Sequence, residues 1–372
     1  MSAVFKSLAD IDRHWSPAVI PSVTPGLEVI CMADVKPRPI AWLWQNWLAL
    51  GKVSVLAGDG GKGKSTVLCD WAARTTKGEM WPDFTRGGRP GGVIILAAED
   101  DVEDTLAPRL IAAGADMSRV FSIRSVRAED LTRRTFSLQA DLTRLEAEII
   151  ARDDIKLVII DPISSYLGKV DSHNNAEVRT VLEPLGEMAA RTRVSIICNN
   201  HFSKSGGNAT HRIIGSVAFV NQARAAFIVT PDADDETRLL LMPAKMNIAP
   251  IKNGLAYRIA SAVLDIDGKK ILTSQIVWES EPVTITANDA LAALAGGDEA
   301  KTAKAEAVDF LRDFLAGGPS PVAAINKEAK AAGISTKSLR SAKDSLNIKP
   351  EKSGFGSDGG WTWALPKMPS EG

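Results

Sequence analysis

The chain has 372 residues, a formal net charge of -1, 45% hydrophobic residues and 24% charged residues. This ordinary composition excludes a mainly disordered chain, a collagen-like chain and a disulfide scaffold, and the length allows two or three domains. The apolar runs are too short to span a bilayer, and Cys31, Cys69 and Cys198 have neither disulfide nor zinc-binding spacing. We therefore expect a cytoplasmic protein with no membrane partner and no export signal.

The first 36 residues contain Pro17, Pro21 and Pro25, which interrupt any helix, and are predicted to form an N-terminal arm. From residue 37 to residue 283, short β-branched apolar runs alternate with amphipathic stretches. The predicted strands are Val53–Ala57, Gly92–Ala98, Val120–Ile123, Lys156–Asp161, Val194–Asn199 and Ala226–Thr230. The predicted helices are Lys64–Thr76, Val102–Ala113, Asp141–Arg152 and Ala176–Thr192. This alternation indicates an α/β domain with a mostly parallel sheet and helices on both faces.

The remaining elements divide into a sheet extension and a separate C-terminal unit. Shorter strands predicted to extend the same sheet in antiparallel fashion are Arg238–Pro243, Leu255–Ala260, Ala262–Ile266 and Gln275–Glu279. Residues 284–304 are rich in Ala, Gly, Asp and Lys, which predicts a linker. The predicted C-terminal helices are Ala305–Leu315, Ala323–Ala332 and Thr336–Leu346. With the glycine-rich hairpin that follows, they predict a small winged-helix-like domain over residues 305–366 and a tail over residues 367–372.

The sequence GDGGKGKS, from Gly58 to Ser65, fits the phosphate-loop pattern G-x-x-x-x-G-K-[ST] and stands between a predicted strand and a predicted helix. Its glycines leave room for backbone N–H groups around phosphate oxygens, and the start of the helix adds positive potential. We expect Lys64 to contact the β- and γ-phosphates of ATP and Ser65 to bind Mg²⁺. The predicted nucleotide-binding residues are Gly58, Asp59, Gly60, Gly61, Lys62, Gly63, Lys64, Ser65 and Thr66.

Polar side chains stand at the C-terminal ends of other predicted strands, on the ligand side of an open α/β sheet. Asp161 is predicted to hold the water shell of Mg²⁺, and Glu99 is predicted to be the base that aligns the attacking water. Asp100 or Asp101 is expected to cap the following helix. His201 is predicted to hydrogen-bond the γ-phosphate or the attacking water.

Together these motifs resemble the RecA-type ATPase domains of RepA-like hexameric replicative helicases of plasmids, and related AAA-family ATPases of phages and mobile elements. The resemblance covers roughly residues 40–279 and rests on VSVLAGDGGKGKSTVLCDWAARTTKG, VIILAAEDD, LVIIDPISSYLG, CNNHFSKS and PAKMN. The phosphate loop is common to many NTPases, but its combination with a strand-end Glu, Asp-Pro, His-x-x-Lys and Lys-x-Asn is much narrower. The resemblance implies a RecA-like P-loop NTPase fold and a homo-oligomeric, hexameric ring with ATP at the subunit interfaces.

In rings of this kind the neighbouring subunit supplies a cation to the nucleotide. Arg224, Lys245 and Arg212 fall near the matching segments, and we rank Lys245 and Arg224 above Arg212. Each residue also has a structural interpretation: Arg224 as a helix-surface charge, and Lys245 as a charge that protects an edge strand.

By the same resemblance, the glycine-rich loop Ser203–Arg212 faces the pore and binds single-stranded DNA through Lys204 and Arg212, although a plain surface loop is equally compatible. Lys337, Arg340 and Lys343 recur at helical spacing and are predicted to contact DNA, while ordinary solvation of a helix face remains open. A primase or replication initiator is a further expected partner.

The sequence therefore predicts an ATP-hydrolysing motor that acts on DNA, namely a ring-forming replicative helicase of a plasmid, phage or mobile element. Two alternatives stay open. One is a RecA/KaiC-like regulatory or recombination ATPase without unwinding, and the other is a nucleotide-gated DNA-binding scaffold with little turnover.

Overall fold

The structure is a computed structural model that describes residues 29–127, 132–170, 174–202, 217–251, 253–353 and 360–366. The chain divides into two compact units, Met1–Pro39 and Ile40–Gly372. In the first unit, the described residues contain a short 3₁₀ turn at Met32–Asp34. The remaining elements all belong to the second unit. Within the described ranges, no helix is both long enough and apolar enough to cross a bilayer.

The strands of the second unit fall into one large sheet and several small ones. In chain order they are β1 (Trp42–Trp44), β2 (Leu48–Ala49), β3 (Val53–Gly58), β4 (Gly92–Ala97), β5 (Val120–Ser122), β6 (Val126–Arg127), β7 (Arg133–Arg134), β8 (Ile155–Asp161), β9 (Ser195–His201), β10 (Ala225–Pro231), β11 (Leu239–Met246), β12 (Gly254–Ile266), β13 (Lys269–Val283), β14 (Ser320–Pro321), β15 (Glu351–Ser353) and β16 (Gly360–Trp363).

The helices alternate with these strands as the sequence predicts. In chain order they are α1 (Lys64–Lys77), α2 (Ala107–Ala112), α3 (Leu138–Ala151), α4 (Asn175–Thr192), α5 (Val217–Gln222), α6 (Ala287–Leu315), α7 (Val322–Ala331) and α8 (Thr336–Ser345). A π-helical turn at Val102–Leu106 leads directly into α2, so the predicted single helix begins with a wider turn. Further 3₁₀ turns lie at Met117–Arg119 and Ile163–Tyr166.

Among the described residues, a nine-stranded sheet has the order β13-β12-β11-β10-β3-β9-β8-β4-β5. The strands from β10 to β5 in this order are parallel, and β11, β12 and β13 extend the sheet in antiparallel fashion. This architecture confirms the predicted α/β, RecA-like P-loop NTPase fold. The central strands are buried on both faces because helices cover both, which explains their consecutive apolar residues.

The two faces of the sheet carry separate hydrophobic cores. On one face α3 and α4 cover residues such as Ile94, Val158 and Ile196. On the other, α1 packs with a cluster of tryptophans in which Trp44 stacks between Trp47 and Trp81, at centroid distances of 4.5 and 4.7 Å. Both cores hold the C-terminal strand ends in fixed positions, which is where the predicted site residues lie.

The antiparallel extension is longer than predicted. The sequence analysis divides residues 255–266 into two strands, but the structure forms one continuous strand, β12, whose partner β13 runs from Lys269 to Val283. The turn between the two strands lies at Asp267 and Gly268, with φ of 52° and 76°. Only the first part of β12 pairs with β11, so the rest of the β12–β13 hairpin projects from the sheet.

The predicted linker is also different in the structure, because residues 287–304 are helical and α6 runs unbroken to Leu315. Thr286 and Asp289 form a reciprocal capping box that fixes the start of this helix, and the alanine-rich sequence favours its continuation through the glycine pair. The end of α6 then packs with α7, α8 and the antiparallel sheet β14-β16-β15 around Leu311, Ile325 and Trp363. This is the element order of a winged helix, as predicted.

Candidate nucleotide site

The phosphate loop connects the end of β3 to the start of α1. Gly61 and Gly63 have left-handed backbone conformations, with φ of 71° and 70°, and Gly63 is the N-cap residue of α1. These conformations are open to glycine at little cost and turn backbone N–H groups towards a common centre. The loop and the N-terminus of α1 therefore form a site suited to phosphate oxygens.

Lys64 lies at the centre of this loop with only 5% of its surface exposed. Its Nζ donates hydrogen bonds to the carbonyl oxygens of Gly58, at 2.9 Å, and Asp59, at 2.8 Å. Burial lowers the pKa of Lys64, and the nearby carboxylates of Asp161, Asp59 and Glu99 oppose this shift. The ammonium group is thus held over the loop by weak carbonyl acceptors, which a phosphate could replace with stronger charge-assisted bonds.

Asp161 ends β8 beside the loop and is in register with Ala97 of β4. Its carboxylate accepts hydrogen bonds from the side chains of Asn199 and Ser65. Burial raises the pKa of Asp161, and the negative charges of Asp100 and Glu99 add to this effect. A cation at this place would relieve the concentration of negative charge.

The acids after β4 have separate environments. Glu99 is mostly exposed, and its Oε1 lies 3.9 Å from Nε2 of His201, the last residue of β9. Asp100 forms an ion pair with Arg109 of α2. Asp101 caps the following turn by accepting hydrogen bonds from the backbone N–H groups of residues 103 and 104. The carboxylate of Glu99 is therefore the one that faces His201 across the site.

These groups surround one cavity of about 290 Å³. Its lining residues are Gly61, Lys62, Gly63, Lys64, Ser65, Thr66, Glu99, Asp100, Arg109, Asn199, His201, Ile259 and Ser274. Of the predicted residues, Gly61 to Thr66, Glu99 and His201 line the cavity, and Asp161 lies immediately behind Ser65. Gly58, Asp59 and Gly60 are not among the lining residues. The roles assigned to all of these residues stay predictions.

The sequence analysis missed one wall of the cavity, which the β12–β13 hairpin supplies. Tyr257 is fully buried and donates a hydrogen bond of 2.9 Å from its hydroxyl to the carbonyl oxygen of Lys62. Ile259 lies so close to Gly63 that a Cβ there would be 2.6 Å from its Cδ1. No local signal marks these contacts, because about 195 residues of sequence separate the two sides. Asn199, also missed, is marked only by its place near the end of a predicted strand.

Gly63→Ala is expected to destabilise the fold by roughly 1–2 kcal/mol, because the new methyl group would both strain the left-handed backbone and collide with Ile259. Gly60→Ala is the matched control, since nothing lies within 4 Å of the corresponding Cβ position and its φ is not left-handed. Chemical denaturation of both variants measures the difference. Equal unfolding free energies would show that the loop does not depend on its contact with the hairpin.

The site also fits a Mg²⁺ ion. Ser65 and Asp161 present oxygen ligands next to each other, and the buried Oδ1 of Asn199 has no hydrogen-bond partner among the described residues. In the described ranges, no group of three or more His, Cys, Asp or Glu side chains is placed to hold a metal. Mg²⁺ would accordingly take its other ligands from phosphate and water, as this ion usually does.

Two of the candidate trans cations, Arg224 and Lys245, lie at the opposite end of the sheet strands from the phosphate loop, and Arg212 lies outside the described residues. The backbone N–H of Arg224 donates to the carbonyl of Val53, at the start of β3, and its side chain is exposed. Lys245 is partly buried, and its Nζ donates to the carbonyl oxygens of Val220, Asn221 and Ala223, at 2.6, 3.2 and 3.1 Å. Burial lowers the pKa of Lys245, and the charge of Arg224 adds to this effect. A role of Lys245 in trans would require it to leave these carbonyl groups.

The predicted DNA-binding residues are only partly described. Lys204 and Arg212, with the whole of the loop Ser203–Arg212, lie outside the described residues. Lys337 and Arg340 are exposed on α8, as a contacting face requires. Lys343 is half-buried, with its Nζ 3.1 Å from Asp344 and 5.8 Å from the ring centroid of Trp363. It therefore contributes to the packing of the C-terminal unit.

A phosphate loop between a buried strand and a helix, combined with strand-end acids at the same sheet edge, defines the nucleotide site of a P-loop NTPase. Residues 23–207, just under half of the chain, match the family model described as an AAA domain. The matched range contains the phosphate loop, Glu99, Asp161 and His201. The chain therefore carries a P-loop ATPase domain, and this part of it is similar to the AAA-domain family. No curated protein showed significant sequence similarity to the chain.

Proposed function

We propose that this ATPase is a ring-forming motor that acts on DNA, most specifically a replicative helicase of a plasmid, phage or mobile element. The observation that carries the proposal is where the charged groups lie relative to the two ends of the parallel strands. The acids and Lys64 surround the nucleotide cavity, whereas the exposed Arg224 lies at the far end. A second subunit placed against the cavity can add the cation of its Arg224.

The hydrolytic chemistry follows from the positions of the chain's own groups. Glu99 orients and deprotonates the attacking water, and the facing His201 holds the water or the γ-phosphate. Lys64 offsets the charge that develops on the phosphate oxygens. Mg²⁺, held through Ser65 and Asp161, would add further neutralisation of the phosphates.

Arg224 is too far from its own phosphate loop to take part in cis. Val53, to which its backbone is bonded, and Gly58, where the loop begins, are the two ends of β3, so they are separated by roughly 16 Å at about 3.3 Å per residue. An exposed arginine at this end matches the requirement for a cation that acts on the nucleotide of a neighbour, where such a residue contributes roughly 10³–10⁵ in rate. This geometry supports a homo-oligomeric ring.

Arg224→Ala is therefore expected to reduce steady-state phosphate release by roughly 10³-fold while nucleotide binding is retained. Mixing the inactive Arg224→Ala and Lys64→Ala proteins should restore part of the activity, because some interfaces then combine an intact loop with an intact arginine. Arg179→Ala, which removes another exposed arginine from α4, is the matched control and should leave the rate unchanged. Failure of the mixture to recover any activity would contradict a trans role.

The proposed action on DNA is supported by the exposed cations of α8 and by the resemblance of the loop Ser203–Arg212 to pore loops that bind DNA. Electron microscopy with a slowly hydrolysed ATP analogue and single-stranded DNA is expected to show rings with DNA in the pore. A strict monomer without DNA density would overturn the motor. Rings that hydrolyse ATP but do not unwind a forked duplex would favour the regulatory or recombination ATPase. DNA binding with negligible phosphate release would favour the scaffold.

A further inference from the structure

The β12–β13 hairpin has one face that continues beyond the nucleotide cavity. In an antiparallel ladder, directly opposed residues share a face, and so do residues two positions apart on a strand. The opposed pairs on this face are Tyr257 with Trp278, Ile259 with Ile276, Ser261 with Ser274, and Val263 with Leu272. The face therefore runs outwards as an aromatic pair, an aliphatic pair, a hydroxyl pair and a second aliphatic pair.

Three contacts fix the positions of these pairs relative to the phosphate loop and the cavity. Tyr257 is bonded to the loop carbonyl of Lys62, Ile259 touches Gly63, and Ser274 lines the cavity. The next pair, Val263 and Leu272, is left 62% and 74% exposed. An exposed aliphatic pair is common on protein surfaces, but this one continues a wall that already contacts the phosphate loop.

The dimensions of the site agree with an occupant on this outer pair. A cavity of about 290 Å³ is just below the range, roughly 300–1,000 Å³, of pockets that enclose drug-sized ligands, so we expect part of a nucleotide to lie outside it. Successive pairs on one face are about 7 Å apart. The hydroxyl pair thus lies one step, and the outer aliphatic pair two steps, beyond the Ile259 contact with the phosphate loop.

We propose that Val263 and Leu272 form the surface on which the nucleobase of the bound nucleotide lies, with the hydroxyl groups of Ser261 and Ser274 at the level of the ribose. This assignment rests on the proposed ATPase site and specifies its substrate class. Aliphatic side chains contact the flat face of a purine without donating or accepting hydrogen bonds. This wall therefore does not distinguish adenine from guanine, and the site accepts purine nucleotides generally.

Equilibrium titration of the full-length protein with ADP, GDP and pyrophosphate tests the assignment. Leu272→Ser and Val263→Ser are each expected to weaken ADP and GDP binding by roughly tenfold, as loss of apolar contact in a binding pocket does. Pyrophosphate binding should not change, because this ligand has no base. Leu272→Phe should preserve nucleotide binding. Val277→Ser is the matched control, since Val277 is 49% exposed on the opposite face of the same strand.

Each other outcome is decisive. Wild-type affinity for ADP in both serine variants would overturn the assignment while leaving the ATPase intact. Equal loss of ADP and pyrophosphate binding would show that the residues only support the phosphate loop, which also overturns it. A preference of the wild-type protein for ADP over GDP by more than roughly tenfold would show that base edges are read by hydrogen bonds. Failure of the wild-type protein to bind any of the three ligands would instead contradict the proposed function.

Discussion

Lys64→Ala is expected to reduce ATP hydrolysis by at least roughly 10²–10³-fold, because the substitution removes the buried cation that faces the developing phosphate charge. Nucleotide affinity should fall as well, since the ammonium group is positioned over the loop by the carbonyl oxygens of Gly58 and Asp59. Steady-state phosphate release and titration with a fluorescent ATP analogue measure the two effects separately.

The neighbouring lysine provides the matched control for this experiment. The carbonyl oxygen of Lys62 is bonded to Tyr257, and that contact does not involve the lysine side chain. Lys62→Ala should therefore keep the loop in place, and the rate should fall much less than in Lys64→Ala because the Lys62 side chain is less buried than that of Lys64. A Lys64→Ala protein that binds and hydrolyses ATP at the wild-type rate would remove the basis for every role assigned to the loop.

Glu99→Gln is expected to reduce the hydrolysis step by roughly 10²–10⁴-fold, the usual contribution of a positioned base, while ATP binding is preserved. The amide keeps the size of the side chain and its distance from His201 but cannot accept a proton from water. Single-turnover phosphate release in pre-formed complexes isolates this step from binding.

Asp101→Asn distinguishes a base from a capping acid in the same acidic run. Asp101 is committed to the backbone N–H groups of Glu103 and Asp104, and asparagine caps a helix about as well. Its variant should hydrolyse ATP at close to the wild-type rate. A normal rate in Glu99→Gln, with a large loss in Asp101→Asn, would reverse the two assignments.

The parallel part of the fold is predictable from sequence because its strands carry their signal locally. The apolar runs that become β3 and β8 are bounded by glycine or by a strand-end acid, and their ends are predicted to within a residue. A strand that is buried on both faces has apolar residues at consecutive positions, so it can be recognised without knowing which strands pair with it. Glu99, Asp161 and His201 are then expected to meet, because the carboxyl ends of parallel strands lie on the same side of a sheet.

The errors occur where distant contacts decide the structure. The interruption predicted within β12 falls at Ser261, a polar residue that remains in the strand because β13 pairs with it on one side. The linker prediction weighs the pair of glycines at residues 296 and 297 too strongly, since the capping box and the alanines of α6 outweigh a cost of about 1 kcal/mol per glycine. The wall formed by Tyr257 and Ile259 depends on packing across most of the domain, which periodicity does not report.

The fastening of the hairpin to the loop has a mechanical consequence. Tyr257 donates a hydrogen bond to a loop carbonyl, and the side chain of Ile259 contacts Gly63, so these two contacts couple the hairpin to the loop. A displacement of the turn near Gly268, at the outer end of the hairpin, would therefore act on the phosphate loop. We therefore expect a tilt of the hairpin to displace the phosphate loop and to weaken its contacts with a bound nucleotide.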